Sequence, residues 1–238
     1  MPQKEHIRRM FDSIASDYDR LNHLMSLDVD RSWRRKALRA IVEPGVCQHI
    51  LDVACGTGDF SMAIARALQK KGHPDSRVVG VDLSEGMLEI MRTKVAAAGL
   101  TDRISVLAGD GEALAFRDGA FDAVTIAFGI RNFEDREKGL REMVRVLRPG
   151  GRLVILELSQ PSGRFLRWAY GLYFKHILPR IGGAVSGDKP AYAYLPASVI
   201  AFPGKEAFMA TLSACGLESV THRAFSFGIC RMYTGRKP

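Results

Sequence analysis

The chain is short of several things, and each shortage closes off a class of protein. No apolar run approaches the roughly 20 residues that a bilayer-spanning helix needs. The opening residues, Met1-Pro2-Gln3-Lys4-Glu5-His6, have no apolar core, so a secretory leader is not expected. The four cysteines (47, 55, 215 and 230) show no paired spacing. Neither a metal site nor a disulfide framework is therefore expected, and they read as small apolar residues in a reducing cytoplasm. No internal repeat or low-complexity tract is present. Acidic residues are missing from 160 to 187. No aromatic-basic motif of an RNA-binding module is visible. What remains is an ordinary globular mixture, 25% charged and 47% hydrophobic in 238 residues, enough for one large α/β domain. The net charge of +8 suits nucleic acid, an anionic membrane or an acidic substrate, and its location must decide.

The chain is organised around Ile50-Leu51-Asp52-Val53-Ala54-Cys55-Gly56-Thr57-Gly58-Asp59-Phe60. Ile50, Leu51 and Val53 form the short apolar run of a strand buried on both faces. Gly56 and Gly58 allow a sharp turn and a close approach to a ligand. The helix expected after them aims its first free N–H groups at the turn. Asp52 precedes the turn, where a carboxylate can reach an ammonium group. Asp82 ends the next strand, Val78–Val81, and Asp110 follows the third, Ile104–Ala108. Acidic residues at successive strand tips face one crevice, and Asp82 suits a ribose diol.

A dinucleotide fingerprint requires a third glycine where Ser61 stands, and no Lys or Arg in the turn would hold a pyrophosphate. Carboxylates around the turn suit a cationic ligand instead. S-adenosylmethionine carries a sulfonium, an ammonium and a ribose diol. The pattern Asp52-x-x-x-Gly56-x-Gly58 resembles the first motif of the class I S-adenosylmethionine-dependent methyltransferases, with an NAD(P) dehydrogenase as the competing reading.

Along the chain, Ile7, Met10, Phe11 and Ile14 recur at helical spacing and predict an amphipathic helix over 4–20. A second helix is expected from Asp30, as N-cap, to about Val42, ended by Glu43-Pro44-Gly45. Strands near 49–53, 77–81, 103–107, 122–127 and 152–157 alternate with helices near 58–70, 85–98 and 135–147, which predicts a parallel doubly wound sheet. Residues 160–203 break the rhythm: a basic-aromatic helix over 163–180, then a Gly/Pro-punctuated stretch over 182–204. A helix over 204–214 and strands over 217–223 and 227–235 close the chain as an antiparallel edge. The expected organisation is an N-terminal helical lid (1–45), a Rossmann-like cofactor core (46–159), a substrate- or membrane-facing insertion (160–203), and a C-terminal helix with edge strands of the same domain (204–238).

Four blocks resemble one family. Tyr18-Asp19-x-Leu21-Asn22-x-x-Met25-Ser26 with Trp33 is similar to the N-terminal signature of the ubiquinone/menaquinone biosynthesis C-methyltransferases, the UbiE/MenG type. The run from Arg145 to Ser159 is similar to their second signature. Phe128-Gly129-Ile130-Arg131-Asn132 and Tyr192-x-Tyr194-Leu195-x-x-Ser198-x-x-x-Phe202-Pro203 resemble two further segments. Departures are Asp28 and Asp30 where the family usually has Gly and His, Leu21 for Met, and Ala127 where some members have Ser.

The resemblance implies a class I fold: a mostly parallel seven-stranded sheet with an antiparallel edge. It implies methyl transfer from S-adenosylmethionine to a ring carbon of a polyprenyl quinol, demethylmenaquinol to menaquinol. The benzoquinol of the ubiquinone pathway, alone or in addition, is the alternative. The expected cofactor-binding set is Asp52, Gly56, Thr57, Gly58, Asp82, Asp110 and Gly111, with Asp110 on the adenine amino group; no metal is expected. Arg131 is the candidate cation for the phenolate and Asn132 the group that orients a quinol oxygen or a water. Tyr18, with Asn22, is expected to close over the site, Trp33 reads as packing of the N-terminal helices, and His23 is a candidate base. The 163–180 helix, with Arg164, Arg167 and Lys175, is expected to contact prenyl chain or anionic membrane at the inner face of the cytoplasmic membrane. No nucleic-acid partner is expected; a homodimer is open.

Overall fold

Ile50, Leu51 and Val53 have no measurable exposure, because both faces of their strand are covered. The surroundings come from a computed structural model, which describes residues 3–26, 28–71, 74–161, 163, 168, 171–172 and 189–238, with the backbone alone at 17, 20–25 and 189–193. The elements run α1 (Lys4–Ser26), α2 (Val29–Ile41), β1 (His49–Val53), α3 (Asp59–Lys70), β2 (Arg77–Asp82), α4 (Glu85–Ala97), β3 (Ile104–Ala108), β4 (Phe121–Ala127), α5 (Arg136–Val146), β5 (Leu147–Leu158), α6 (Lys189–Ala201), α7 (Lys205–Ala214), β6 (Glu218–Phe225) and β7 (Cys230–Arg236).

Seven strands form one sheet in the order β3-β2-β1-β4-β5-β7-β6. The pairs from β3 to β5 are parallel, and β7 runs antiparallel between β5 and β6. Strand periodicity splits the core in two. Leu51, Val53, Val124, Leu153 and Ile155 face α5 and α7. Ile50, Ala123, Val154 and Leu156 face α2, α3 and α4. The direction of winding reverses between β1 and β4, so the carboxyl ends of these two strands open the crevice where a ligand belongs. Among the described residues no helix is long and apolar enough to cross a membrane.

The fold follows the expected class, with five local corrections, one being that β5 begins at Leu147, paired with Phe121, and not near 152. The first helix continues past residue 20 to Ser26. The second begins at Val29 behind Asp28, which sits left-handed at φ 59°. Asp30 is therefore no N-cap: it is buried inside the helix, bonded to Ser26 Oγ at 2.7 Å and to Arg34. The stretch over 182–204 contains α6, with Pro196 inside it. Val199, at 1% exposure, and Phe202, whose ring lies 4.8 Å from that of Phe208, anchor this segment on the core, and tertiary burial overrides the proline signal. The last strand starts at Cys230, because Ser226, Phe227 and Gly228 form a turn at positive φ. The basic-aromatic helix over 163–180 lies outside the described residues, apart from single positions that include an exposed Trp168.

Candidate active site

The strands flanking the crevice both end in strained backbone. Ala54 after β1 and Phe128 after β4 have φ of 51° and 61°, a region non-glycine residues seldom occupy. Gly58 follows at φ 85° as the residue before α3. A Cβ there would stand 2.5 Å from Met91 Cγ, so glycine is demanded by shape as well as by angle. Asp52 points to the α3 side of the sheet. Ser61, from the first turn of α3, donates to Asp52 Oδ2 at 2.5 Å. This is why a serine stands where a dinucleotide fold would carry its third glycine. Asp52 Oδ1 is buried with no partner among the described residues. Burial pushes the Asp52 carboxyl up to about 7, the Ser61 bond and Arg34 pull against that, and Asp82 adds to it.

Asp82, at the tip of β2, takes Gly56 N–H at 2.8 Å on one oxygen and Ser84 N–H at 2.9 Å on the other. Burial raises its pKa against these two bonds. Ser84 in turn caps α4 by accepting Met87 N–H. Beyond β3, Asp110 accepts Glu112 N–H at 2.9 Å and pairs with Lys4 at 2.6 Å. Gly111 is packed tightly: a Cβ would meet Phe133 Cζ at 2.6 Å.

After β4 a short 3-10 turn, Ile130–Asn132, carries the Arg-Asn pair. Arg131 turns away from the crevice. Its Nη1 donates to Glu157 Oε1 at 2.8 Å and to Phe128 O, and its Nε reaches Ser198 Oγ at 3.3 Å. The side chains of Arg131 and Glu157 are 7% and 0% exposed, so this is a buried ion pair. Burial works to lower the Arg131 pKa, but Glu157 and the nearby Tyr18 and Tyr194 leave it raised. Asn132 lines the crevice, its amide oxygen held by Tyr194 hydroxyl at 3.0 Å.

Helix α1 forms the outer wall. Its Lys4, Ile7, Arg8, Phe11 and Tyr18 line a crevice with about 740 Å³ of empty space, part of it open to solvent, together with Asp82, Asp110, Gly111, Phe128 and Asn132. A smaller crevice, with about 370 Å³ of empty space that is partly open to solvent, shares Tyr18, Ala54, Gly56 and Ala127 with it and is lined further by Arg34, Asp52, Thr57 and Asp59. Three α1 residues tie the wall down. Lys4 binds Asp110 and Glu112. Asp12 accepts from Ser84 Oγ at 2.5 Å and Gly86 N–H at 3.2 Å. Asp19 accepts from Thr57 Oγ1 and from Lys94, which also binds Asp59 at 2.5 Å. Trp33 is a packing residue: it is 5% exposed, its ring lies tilted 6.2 Å from that of Phe128, and it donates to Ser226. The side chains of His23 and Asn22 lie outside the described residues.

Tyr18, Asp52, Gly56, Thr57, Asp82, Asp110, Gly111 and Asn132 thus line two crevices that share part of their wall, with Gly58 shaping the turn. Sequence reasoning missed Lys4, Asp12, Arg34 and Glu157. Glu157 left one signal, a charge inside the apolar run Leu153–Leu158. The other three sit on amphipathic helices, where a charge reads as solvated until the helix is docked.

A family model described as the ubiE/COQ5 methyltransferase family matches residues 2–237. The demethylmenaquinone methyltransferase of Bacteroides fragilis is 46% identical over 235 residues, covering 99% of this chain and 94% of that protein. The ubiquinone/menaquinone biosynthesis C-methyltransferase UbiE of Geobacter sulfurreducens is 49% identical over 235 residues, covering 98% and 89%. Among solved structures, an S-adenosylmethionine-dependent methyltransferase of Thermotoga maritima aligns with a TM-score of 0.67 at 19% identity, over 97% of this chain and 99% of that one, a likeness of fold.

Proposed function

The chain belongs to the ubiE/COQ5 methyltransferase family, and from that premise we propose that it C-methylates demethylmenaquinol to menaquinol with S-adenosylmethionine as methyl donor. The observation that carries this reading is 46% identity, over 99% of the chain, to a protein named for that substrate. The cavities are chemically suited to the donor. Lys4, Lys94 and Arg34 are each matched by carboxylates, whereas Asp52 and Asp82 have no ion-pair partner among the described residues. That balance favours a sulfonium nucleoside over a pyrophosphate.

Asp52 is assigned the α-ammonium, and Asp82 the ribose hydroxyls through the lone pairs that Gly56 and Ser84 leave free. Asp110 is assigned the adenine amino group, which it would share with Lys4. Gly56, Thr57, Gly58 and Gly111 shape the contact. When bound, S-adenosylmethionine supplies a methyl group that is already electrophilic. The residues must then align the ring carbon and stabilise charge on the quinol oxygen. Asn132 is proposed as the group that does so directly, because Tyr194 fixes its oxygen and leaves its N–H groups for the cavity. Arg131 supplies positive charge from behind, reduced by Glu157. Tyr18 covers the reacting space and excludes water. His23 is kept as a candidate for the ring proton.

We further propose peripheral contact with an anionic bilayer at the inner face of the cytoplasmic membrane, supported by the acid-free stretch over 160–187 and the net charge of +8. Arg164→Glu, Arg167→Glu and Lys175→Glu together are expected to release the protein from anionic liposomes. The reaction itself is tested with labelled donor and two acceptors, reduced demethylmenaquinone and the methoxy-polyprenyl-benzoquinol. Label in the naphthoquinol alone supports the proposal, and label in both makes the enzyme dual. Label in neither, with the donor still bound, removes the quinol assignment.

A further inference from the structure

Two residues that line the smaller crevice, Asp52 and Arg34, each carry a buried polar atom that the fold leaves unpaired among the described residues, Asp52 Oδ1 and Arg34 Nε. Such atoms are rare in native structures, and here they belong to two oppositely charged residues of one lining. Arg34 is held from one side only. Its Nη1 donates to Asp30 and lies 3.6 Å from Asp59 Oδ2, while Cζ sits 5.4 Å over the ring of Phe128. Among the described residues neither Nε nor Nη2 donates a hydrogen bond, and these two form the side edge that matches both oxygens of a carboxylate. Asp30 is itself 4% exposed and fixed by Ser26, so the guanidinium has little freedom to turn elsewhere.

We propose that Arg34 receives the α-carboxylate of the donor's amino-acid end, beside the α-ammonium on Asp52, and that Asp30 is the positioning residue that presents the guanidinium. This rests on the donor assigned above and deepens it. An α-amino acid carries both charges on one carbon, and this cavity offers one counter-group for each. A lone carboxylate would be repelled by Asp19, Asp52 and Asp59. A lone amine would leave Arg34 Nε unpaired. Lys94, a nearby cation outside the lining, is committed to Asp19 and Asp59.

Three ligands separate the parts by calorimetric titration: S-adenosylhomocysteine, its decarboxylated analogue S-adenosyl-3-thiopropylamine, and 5′-methylthioadenosine, which lacks the whole amino-acid end. Arg34→Gln and Arg34→Lys are expected to weaken S-adenosylhomocysteine by about 10- to 100-fold and to leave the other two within about twofold. Lysine keeps a charge beside Asp30, so Arg34→Lys answers the question even where Arg34→Gln folds poorly. Asp52→Asn is expected to weaken the first two ligands and spare the third. Asp30→Asn weakens S-adenosylhomocysteine selectively, which a merely structural role would not do. Equal weakening of all three ligands by Arg34→Lys, or unchanged S-adenosylhomocysteine binding, overturns the assignment. A wild-type chain that binds none of the three overturns the donor reading, and this inference with it.

Discussion

The ammonium role proposed for Asp52 sets binding against stability. Its carboxyl is held at about 7 by burial, so the folded chain keeps a proton that the unfolded chain has already lost above about pH 4. The group's contribution to stability therefore falls as pH rises from about 4 to about 7. In the ligand-free protein, Asp52→Asn is expected to raise the melting temperature at about pH 8, with the difference shrinking toward pH 5. The charged groups around it, Arg34 on α2, Asp59 on α3 and Asp82 on β2, stay in place in that variant. Binding of the α-ammonium requires the ionised form. Wild-type affinity for S-adenosylhomocysteine should accordingly rise between about pH 6 and about pH 8, and Asp52→Asn should flatten that profile. Titration calorimetry across this range checks both statements; a flat wild-type profile would falsify the ammonium role. The Arg131–Glu157 pair obeys a different rule. Removing one member strands the other in the interior, at a cost of about 3–5 kcal/mol. Arg131→Met should show that loss in urea unfolding together with lost methyl transfer. Arg131→Met with Glu157→Leu should recover most of the stability and none of the turnover. Recovery of turnover as well would make the residue structural alone.

At the scale of elements, two features govern access. The turn between β1 and α3 depends on Gly58, where angle and Met91 both exclude a side chain. Gly58→Ala is expected to lower stability by roughly 1–3 kcal/mol and to abolish nucleoside binding. Gly99→Ala is the control, because it is also at positive φ and its Cβ would meet no atom within 4 Å. It should lower stability less and leave binding intact. Helix α1 is the second feature. Its Lys4 occupies the carboxylate assigned to adenine, while Asp12 and Asp19 hold the strand-tip loops. The Lys4 and Asp110 side chains are 29% and 25% exposed, so the pair contributes about 1 kcal/mol or less. Lys4→Met also removes the cation 3.1 Å from Glu112, whose side chain is 6% exposed, so it should lower thermal stability by more than the Asp110 pair alone accounts for. It should speed ligand exchange in stopped-flow measurements, since Asp110 is then free of a competitor. Unchanged exchange rates would mean that α1 opens elsewhere. The existence of α1 was legible from Ile7, Met10, Phe11 and Ile14, but its role as a wall was not. A helix shows its apolar stripe in sequence and hides which pocket its charges will meet.

For the molecule as a whole, a ligand that binds only the folded chain stabilises it by mass action, by about 2.7 kcal/mol at a hundredfold excess over Kd. S-adenosylhomocysteine should therefore raise the melting temperature of the wild-type protein by several degrees in proportion to the logarithm of its concentration, and of Asp82→Ala far less.

The order of elements, the parallel class of the sheet and the line of carboxylates at the strand tips were open to reading in the sequence. All three rest on local quantities: an apolar run of strand length, a pair of glycines, a side chain just past a strand. The positions of Asp52, Asp82, Asp110 and Asn132 share this property, since each lies at or near an element end that local pattern marks. What the tertiary structure alone decided is which distant residues complete them. Arg131 meets Glu157 from a neighbouring strand, Asn132 meets Tyr194 sixty-two positions on, and Asp52 shares its cavity with Arg34 of α2. The proline of α6 and the misplaced cap at Asp30 fall on the same side of the line. A buried charge acquires its partner only when helices and sheet close on each other. The cost of leaving it unpaired is a property of that closed interior, and no window of sequence contains it.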